Sequence, residues 1–165
     1  MASAKAYPRL LEQFAKLKKE GKAENVVLRI VGDGDEMPIV QQMIKENQLE
    51  EQVKLLGYLE NPYPYVVKSD MLVLASIYEG LGMVLLEAIL LGIPCFSTKV
   101  SSVEKTLNDG KFGMIVENSE QGIYEGLKEL FVSGKEGINK YKENLKKYQY
   151  NKNDKIMQKI YQLFE

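Results

Sequence analysis

The chain is 165 residues long, 45% hydrophobic and 27% charged, the balance of one ordinary globular domain rather than two. Its 22 basic and 23 acidic residues leave a net charge of −1, without the basic excess of a nucleic-acid binder. Histidine is absent and Cys95 is the single cysteine, so this chain holds no Ser-His-Asp triad, no Cys-His pair, no His/Cys zinc site and no internal disulfide.

Leu10, Leu11, Phe14 and Leu17 recur at helical spacing and Gly21 follows as a stop, which predicts a first helix. Residues 26–31 form a short β-branched run ending in Gly32-Asp33-Gly34, a strand and a tight turn. Pro38, Ile39, Val40, Met43 and Ile44 predict a helix, 53–57 a strand, and 62–68 a short helix with proline in its first turn. The fully apolar run 71–75 predicts a strand buried on both faces. A helix over about 83–91 ends at Gly92 and Pro94. Strands at 95–97 and 113–116 flank a helix-like 101–107, and helices follow around 120–132, 137–147 and 154–164. This alternation predicts one α/β domain over 1–165, a Rossmann-like parallel sheet with helices on both faces. Function then belongs to the loops at the carboxyl ends of the strands, 32–36, 57–62, 76–82 and 97–102.

The segment Tyr78-Glu79-Gly80-Leu81-Gly82-Met83-Val84-Leu85-Leu86-Glu87 joins a predicted strand to a predicted helix through two glycines. Glycines let backbone amides approach a ligand, and the helix start turns unpaired N–H groups outward, so a phosphate or diphosphate is the natural occupant. Glu79 and Glu87 would repel that anion; they suit hydroxyl groups on either side of it, a sugar and a ribose. Read as residues alone, the same segment also fits plain turn glycines and an exposed helix glutamate.

The spacing of Glu79 and Glu87, seven residues between them, resembles the motif of retaining GT-B glycosyltransferases of group 1, also called family 4. Similar signatures stand in order at 31–34, 53–58, 69–74, 88–94 and 108–116, so the resemblance covers most of 5–132. It implies that Glu79, the candidate catalytic residue, accepts hydrogen bonds from the donor sugar with help from the amides of Gly80, Leu81 and Gly82. It implies further that Met83 and Val84 hold the diphosphate through their amides, that Glu87 binds the ribose hydroxyls, and that Tyr58 lies beside the nucleobase. Lys5 matches a lysine that neutralises the leaving diphosphate, although a free terminal lysine is the commoner reading of such a residue.

The implied reaction is sugar transfer, with retention, from a nucleotide-diphosphate sugar to an acceptor hydroxyl in bacterial polysaccharide, capsule or glycolipid assembly. UDP is the commonest nucleotide in that class, with GDP and ADP open, and neither a cofactor nor a metal is expected. The family's acceptor domain and catalytic histidine are absent here, so the expectation is a donor-binding half that is inactive in isolation. The family's first strand is also missing, although it would lie mid-sheet in the order 3-2-1-4-5-6. Strands 26–31 and 71–75 should therefore pair directly, or the vacancy should be filled by association with another chain. No apolar run reaches the length of a membrane span and no signal-peptide pattern opens the chain, which gives a cytoplasmic expectation. The lysines at 135, 140, 142, 146, 147, 152, 155 and 159 fit either a seat on the inner membrane face or a solvated helix face.

The alternatives are a GT-B nucleotide-sugar epimerase, disfavoured by the glutamate pair, and a non-catalytic nucleotide-binding or interaction module. A dinucleotide site is disfavoured because Gly32-Asp33-Gly34 continues to Met37, not to the helix-packing glycine. Asp33 and Asp35 are read as turn residues rather than metal ligands. Tyr63 and Tyr65, framed by Pro62 and Pro64, are read as a packing cluster rather than a stacking platform.

Overall fold

The computed structural model describes residues 5–78 and 82–148. In chain order these form α1 (Tyr7–Lys19), β1 (Leu28–Val31), α2 (Met37–Glu46), β2 (Val53–Gly57), α3 (Tyr63–Val66), β3 (Leu72–Leu74), α4 (Met83–Leu90), β4 (Cys95–Thr98), α5 (Val103–Thr106), β5 (Gly113–Val116) and α6 (Glu120–Lys147). The predicted helix over 154–164 lies outside the described residues.

The ends of these elements follow local chemistry. Pro8 sits in the first turn of α1, and Lys16, Lys18 and Lys19 in its last turn face the negative end of the helix dipole. At the end of α4 the Ile93 amide donates to the Ala88 carbonyl and the Gly92 amide to Ile89, which satisfies two orphan carbonyls. Ser119 caps α6 by accepting from the Gly122 amide at 3.0 Å. The two helices expected around 120–132 and 137–147 form one element broken at Gly134, whose φ of 55° and ψ of −142° lie outside the helical region.

All strand pairs are parallel. They form two sheets, β1-β2 and β3-β4-β5, and no ladder joins β1 to β3 among the described residues. Direct pairing of 26–31 with 71–75 is therefore corrected. A side chain occupies the end of β1 instead: the Tyr7 hydroxyl donates to the Val31 carbonyl at 3.2 Å. The expectation that 71–75 is buried on both faces also needs correction. Leu74 and Ala75 are buried, but Met71, Leu72 and Val73 are only half-buried. The physical reason is topological, because β3 is an edge strand with a neighbour on one side only.

Two apolar cores hold the layers together. The first gathers Leu11, Phe14 and Leu17 of α1, Ile30, Val40, Val53, Phe96, and Ile123 and Leu127 of α6. The second gathers Leu74, Leu85, Ala88 and Ile89 of α4, Cys95, Val103, Leu107, Phe112 and Leu145. Cys95 and Phe96 are consecutive on β4 and enter different cores, as the two-residue period of a strand requires, so β4 carries helices on both faces. Both sheets contribute to the first core, which makes them parts of one body.

Candidate active site

The chain runs from β1 outward to β2 in one sheet, then restarts at β3 and runs to β5 in the other. Ligands of open α/β sheets bind where the direction of winding changes, beyond the carboxyl ends of the strands. The elements at that end are the turn after β1, the start of α4 and the residues that follow β3 and β4.

Gly82 precedes α4 with φ 59° and ψ 34°, a left-handed conformation that glycine adopts at little cost. A Cβ there would lie 3.5 Å from both the Leu85 side chain and the Ser102 hydroxyl, so the backbone passes close to its neighbours. Met83 and Val84 form the first turn of α4, where amides have no carbonyl one turn before them and favour an anion. Glu87 follows one turn later on the same face as Met83 and Val84, as spacings of three and four dictate. Its carboxylate is half-buried and faces the Tyr63 phenol of α3. Burial pushes the Glu87 carboxyl above the usual carboxylate range, and the Tyr63 hydrogen bond pulls against that rise. The Tyr63 phenol is itself raised, by burial first and then by the neighbouring charge of Glu87.

The other expected site residues are placed as follows. Glu79, Gly80 and Leu81 lie outside the described residues. Tyr58 follows Gly57 at the carboxyl end of β2 with 79% of its surface exposed. Lys5 is exposed two residues before α1, whose first amide, on Tyr7, donates to the Glu36 carboxylate at 3.3 Å. Lys5 thus stands near the β1–α2 turn. In that turn Asp33 accepts from the Gly34 amide at 2.8 Å, the turn role expected of it. Of the eight lysines in the basic series, Lys142 pairs with Asp70 at 3.4 Å and Lys146 with Glu143 at 2.7 Å. Those at 152, 155 and 159 lie outside the described residues.

Sequence reasoning missed the polar frame behind this site. The Thr98 hydroxyl donates to the Ser76 carbonyl at 2.6 Å, tying the end of β4 to the end of β3. The Asn118 amide group donates to the Ile77 carbonyl at 3.0 Å and accepts from Arg9 at 2.8 Å. Among the described residues, Arg9 also keeps a buried Nε with no hydrogen-bond partner, and the Ser102 hydroxyl beside Gly82 is buried without one as well. No sequence signal marks these contacts, because Arg9 and Asn118 stand 109 positions apart. Two open surface hollows lie elsewhere, one lined by β5 residues with Glu104, Asp109 and Tyr141, the other by α2 and β2 residues. Neither includes Glu87 or the start of α4.

Comparison with known proteins decides the family. The model of glycosyl transferases group 1 matches residues 1–152. The chain belongs to that family. Among curated group 1 relatives and their kin, it is 34% identical over 108 residues to N-acetyl-alpha-D-glucosaminyl L-malate synthase of Bacillus anthracis, covering 66% of this chain and 28% of that protein. It is also 34% identical over 129 residues to a diphospho-undecaprenol-linked 4-alpha-N-acetylgalactosaminyltransferase of Campylobacter jejuni, covering 76% of this chain and 34% of that one. The group 1 chain described here thus spans about a third of the length of these relatives. In structure it resembles WaaG, a glycosyltransferase of lipopolysaccharide biosynthesis, with TM-score 0.77 at 22% identity over 91% of this chain and 40% of that one. It also resembles Anabaena HepE crystallised with UDP, with TM-score 0.78 at 21% identity over 99% of this chain and 46% of that one. At these identities the likeness establishes the α/β Rossmann-like fold of GT-B glycosyltransferases.

Proposed function

We propose that this chain is the donor-binding half of a retaining glycosyltransferase that takes its sugar from a nucleotide-diphosphate sugar, with UDP the first candidate nucleotide. The observation that carries the reading is Glu87, half-buried one turn inside a helix that starts beyond the end of β3, where the winding direction changes. A carboxylate so placed repels the diphosphate at the first turn of α4 but accepts from the two hydroxyls of a ribose beyond it. Met83 and Val84 amides, with Lys5, meet the charge of the departing diphosphate, a preorganised electrostatic role that needs no metal. Glu79, with Gly80, Leu81 and Gly82, takes the donor sugar, and Tyr58 borders the base. Crystallised relatives support the nucleotide class: HepE holds UDP, and the pneumococcal O-GlcNAc transferase GtfA holds UDP and GlcNAc.

In this reading acceptor recognition belongs to protein outside these 165 residues, in a cytoplasmic enzyme of polysaccharide or glycolipid assembly, and the chain alone binds donor without turnover. No helix among the described residues is long and apolar enough to cross a membrane. The free edges of β1 and β3 are then the place for one further strand, supplied by association.

Calorimetry with UDP, GDP and ADP tests the proposal. One of the three should bind, and Glu87→Ala should weaken it about 10- to 100-fold, the effect of losing charge-assisted hydrogen bonds of about 1.5–3 kcal/mol. Absence of binding at millimolar nucleotide, or an unaltered affinity in Glu87→Ala, would overturn it.

A further inference from the structure

The chain that leaves β3 toward α4 has little apolar purchase. Ile77 is 47% exposed and Tyr78 69%, so side-chain burial does not fix their backbone. The strand ladder does not fix it either, because the pairing of β3 with β4 stops at Leu74 and Ser97. Side chains from other elements take over where the ladder ends. The Thr98 hydroxyl, on the last residue of β4, donates to the Ser76 carbonyl at 2.6 Å, and the Asn118 amide group donates to the next carbonyl, that of Ile77, at 3.0 Å. Asn118 is itself held. Its oxygen accepts from Arg9 of α1 at 2.8 Å, and the residue after it, Ser119, caps α6.

Arginine only donates and a carbonyl oxygen only accepts, so the group between them must do both. An amide does; a carboxylate of the same shape does not. The two partners also settle which end of the amide faces which, oxygen to Arg9 and nitrogen to Ile77. We propose that Asn118, oriented by Arg9, is a positioning residue of the donor site: it sets the Ile77 carbonyl and, through it, the path of the chain into the first turn of α4. Four residues separate Ile77 from Gly82, where the backbone again runs close to its neighbours. A shift at Ile77 is therefore passed on to the amides of Met83 and Val84. Small misplacements of binding groups are costly, and this one falls on the diphosphate those amides meet more than on the ribose at Glu87, one turn further on. Among the described residues no carboxylate forms an ion pair with Arg9, so its half-buried guanidinium has a neutral partner in Asn118.

The role of Asn118 rests on the donor-site reading above, and the test separates the two. The probes are the best-bound of UDP, GDP and ADP and the corresponding monophosphate, titrated into wild type, Asn118→Asp and Arg9→Met, with Tm measured for each. Asn118→Asp gives Arg9 a counter-charge and takes the donor away from Ile77. It should therefore keep or raise Tm, yet bind the diphosphate about 3- to 10-fold more weakly and the monophosphate nearly as well as wild type does. Arg9→Met leaves the amide free to turn over and should lose part of the same preference. Carbon NMR without ligand should show the Ile77 carbonyl displaced in Asn118→Asp; an unmoved signal overturns the tie. Wild type that binds no nucleotide removes the donor-site reading and this proposal with it. A binding wild type whose preference for diphosphate survives in either variant overturns this proposal alone. Equal weakening of monophosphate and diphosphate also overturns it, since Asn118 would then serve the fold as a whole.

Discussion

Glu87 holds a charge in a place that penalises charge. Its carboxyl is raised by burial, so the folded state binds that proton more tightly than the unfolded chain does. Stability tied to this group is therefore complete below the ordinary carboxyl value of 4.5 and declines as pH rises through the higher folded value. Glu87→Gln keeps an oxygen for Tyr63 and removes the charge. It should raise Tm at pH 7, with the gain shrinking toward zero as pH falls below 4.5, while nucleotide affinity falls. Thermal unfolding of both proteins across pH checks this, and a constant difference at all pH values would count against it. Such a residue, costly to the fold and useful to a ligand, is what a binding site looks like in energetic terms. Cys95 is the contrasting case. Burial pushes its thiol up to about 12, so it behaves as a small apolar side chain of the second core rather than a nucleophile.

At the scale of elements, α6 does more than cover the sheet. Its first part sends Ile123, Leu127 and Leu130 into the first core; after Gly134 Ile138 still packs against that core and Leu145 enters the other. Further ties beyond the break are the Asn144 side chain, donating to the Lys111 carbonyl at 3.0 Å, and the Lys142–Asp70 ion pair. The redirection depends on one backbone conformation, φ 55° with ψ −142°, which side chains with a Cβ rarely adopt. No heavy atom lies within 4 Å of a Cβ built there, so conformation alone sets the penalty. Gly134→Ala should therefore destabilise the protein by about 1–3 kcal/mol in urea unfolding. The two helical segments on either side were legible as a change in the pattern near residue 134. That the second segment runs from the first core to the other was not, because helical period reports which residues share a face and not what the face meets.

For the whole molecule, β4 is the shared wall. Phe96 is fully buried in the first core while Cys95, next to it, is fully buried in the second. Truncation at Phe96 should cost about 3–5 kcal/mol and should unfold both cores in one transition, since β4 supports each. Denaturation of Phe96→Ala followed by tyrosine fluorescence and circular dichroism checks it; two separated transitions would show that the cores are independent. Whole-molecule packing also brings the site together. Arg9 of α1 reaches Asn118 before α6, and Asn118 reaches Ile77 beyond β3, so three distant segments frame one end of the sheet.

The order of strands and helices, the stops at glycine and proline, and the family motifs were all readable from the amino-acid order. Each depends on neighbours within a few positions, where side-chain period and backbone preference act. The positions of Met83, Val84 and Glu87 at the start of α4 were legible for the same reason: a glycine turn before an apolar helix is a local signal. Three things were decided only in the tertiary structure: the break between β1 and β3, the half-exposure of 71–73, and the tie from Arg9 through Asn118 to Ile77. They depend on which surfaces remain after the cores close. Burial and the pairing of distant polar groups are properties of that packing, and no local pattern encodes them.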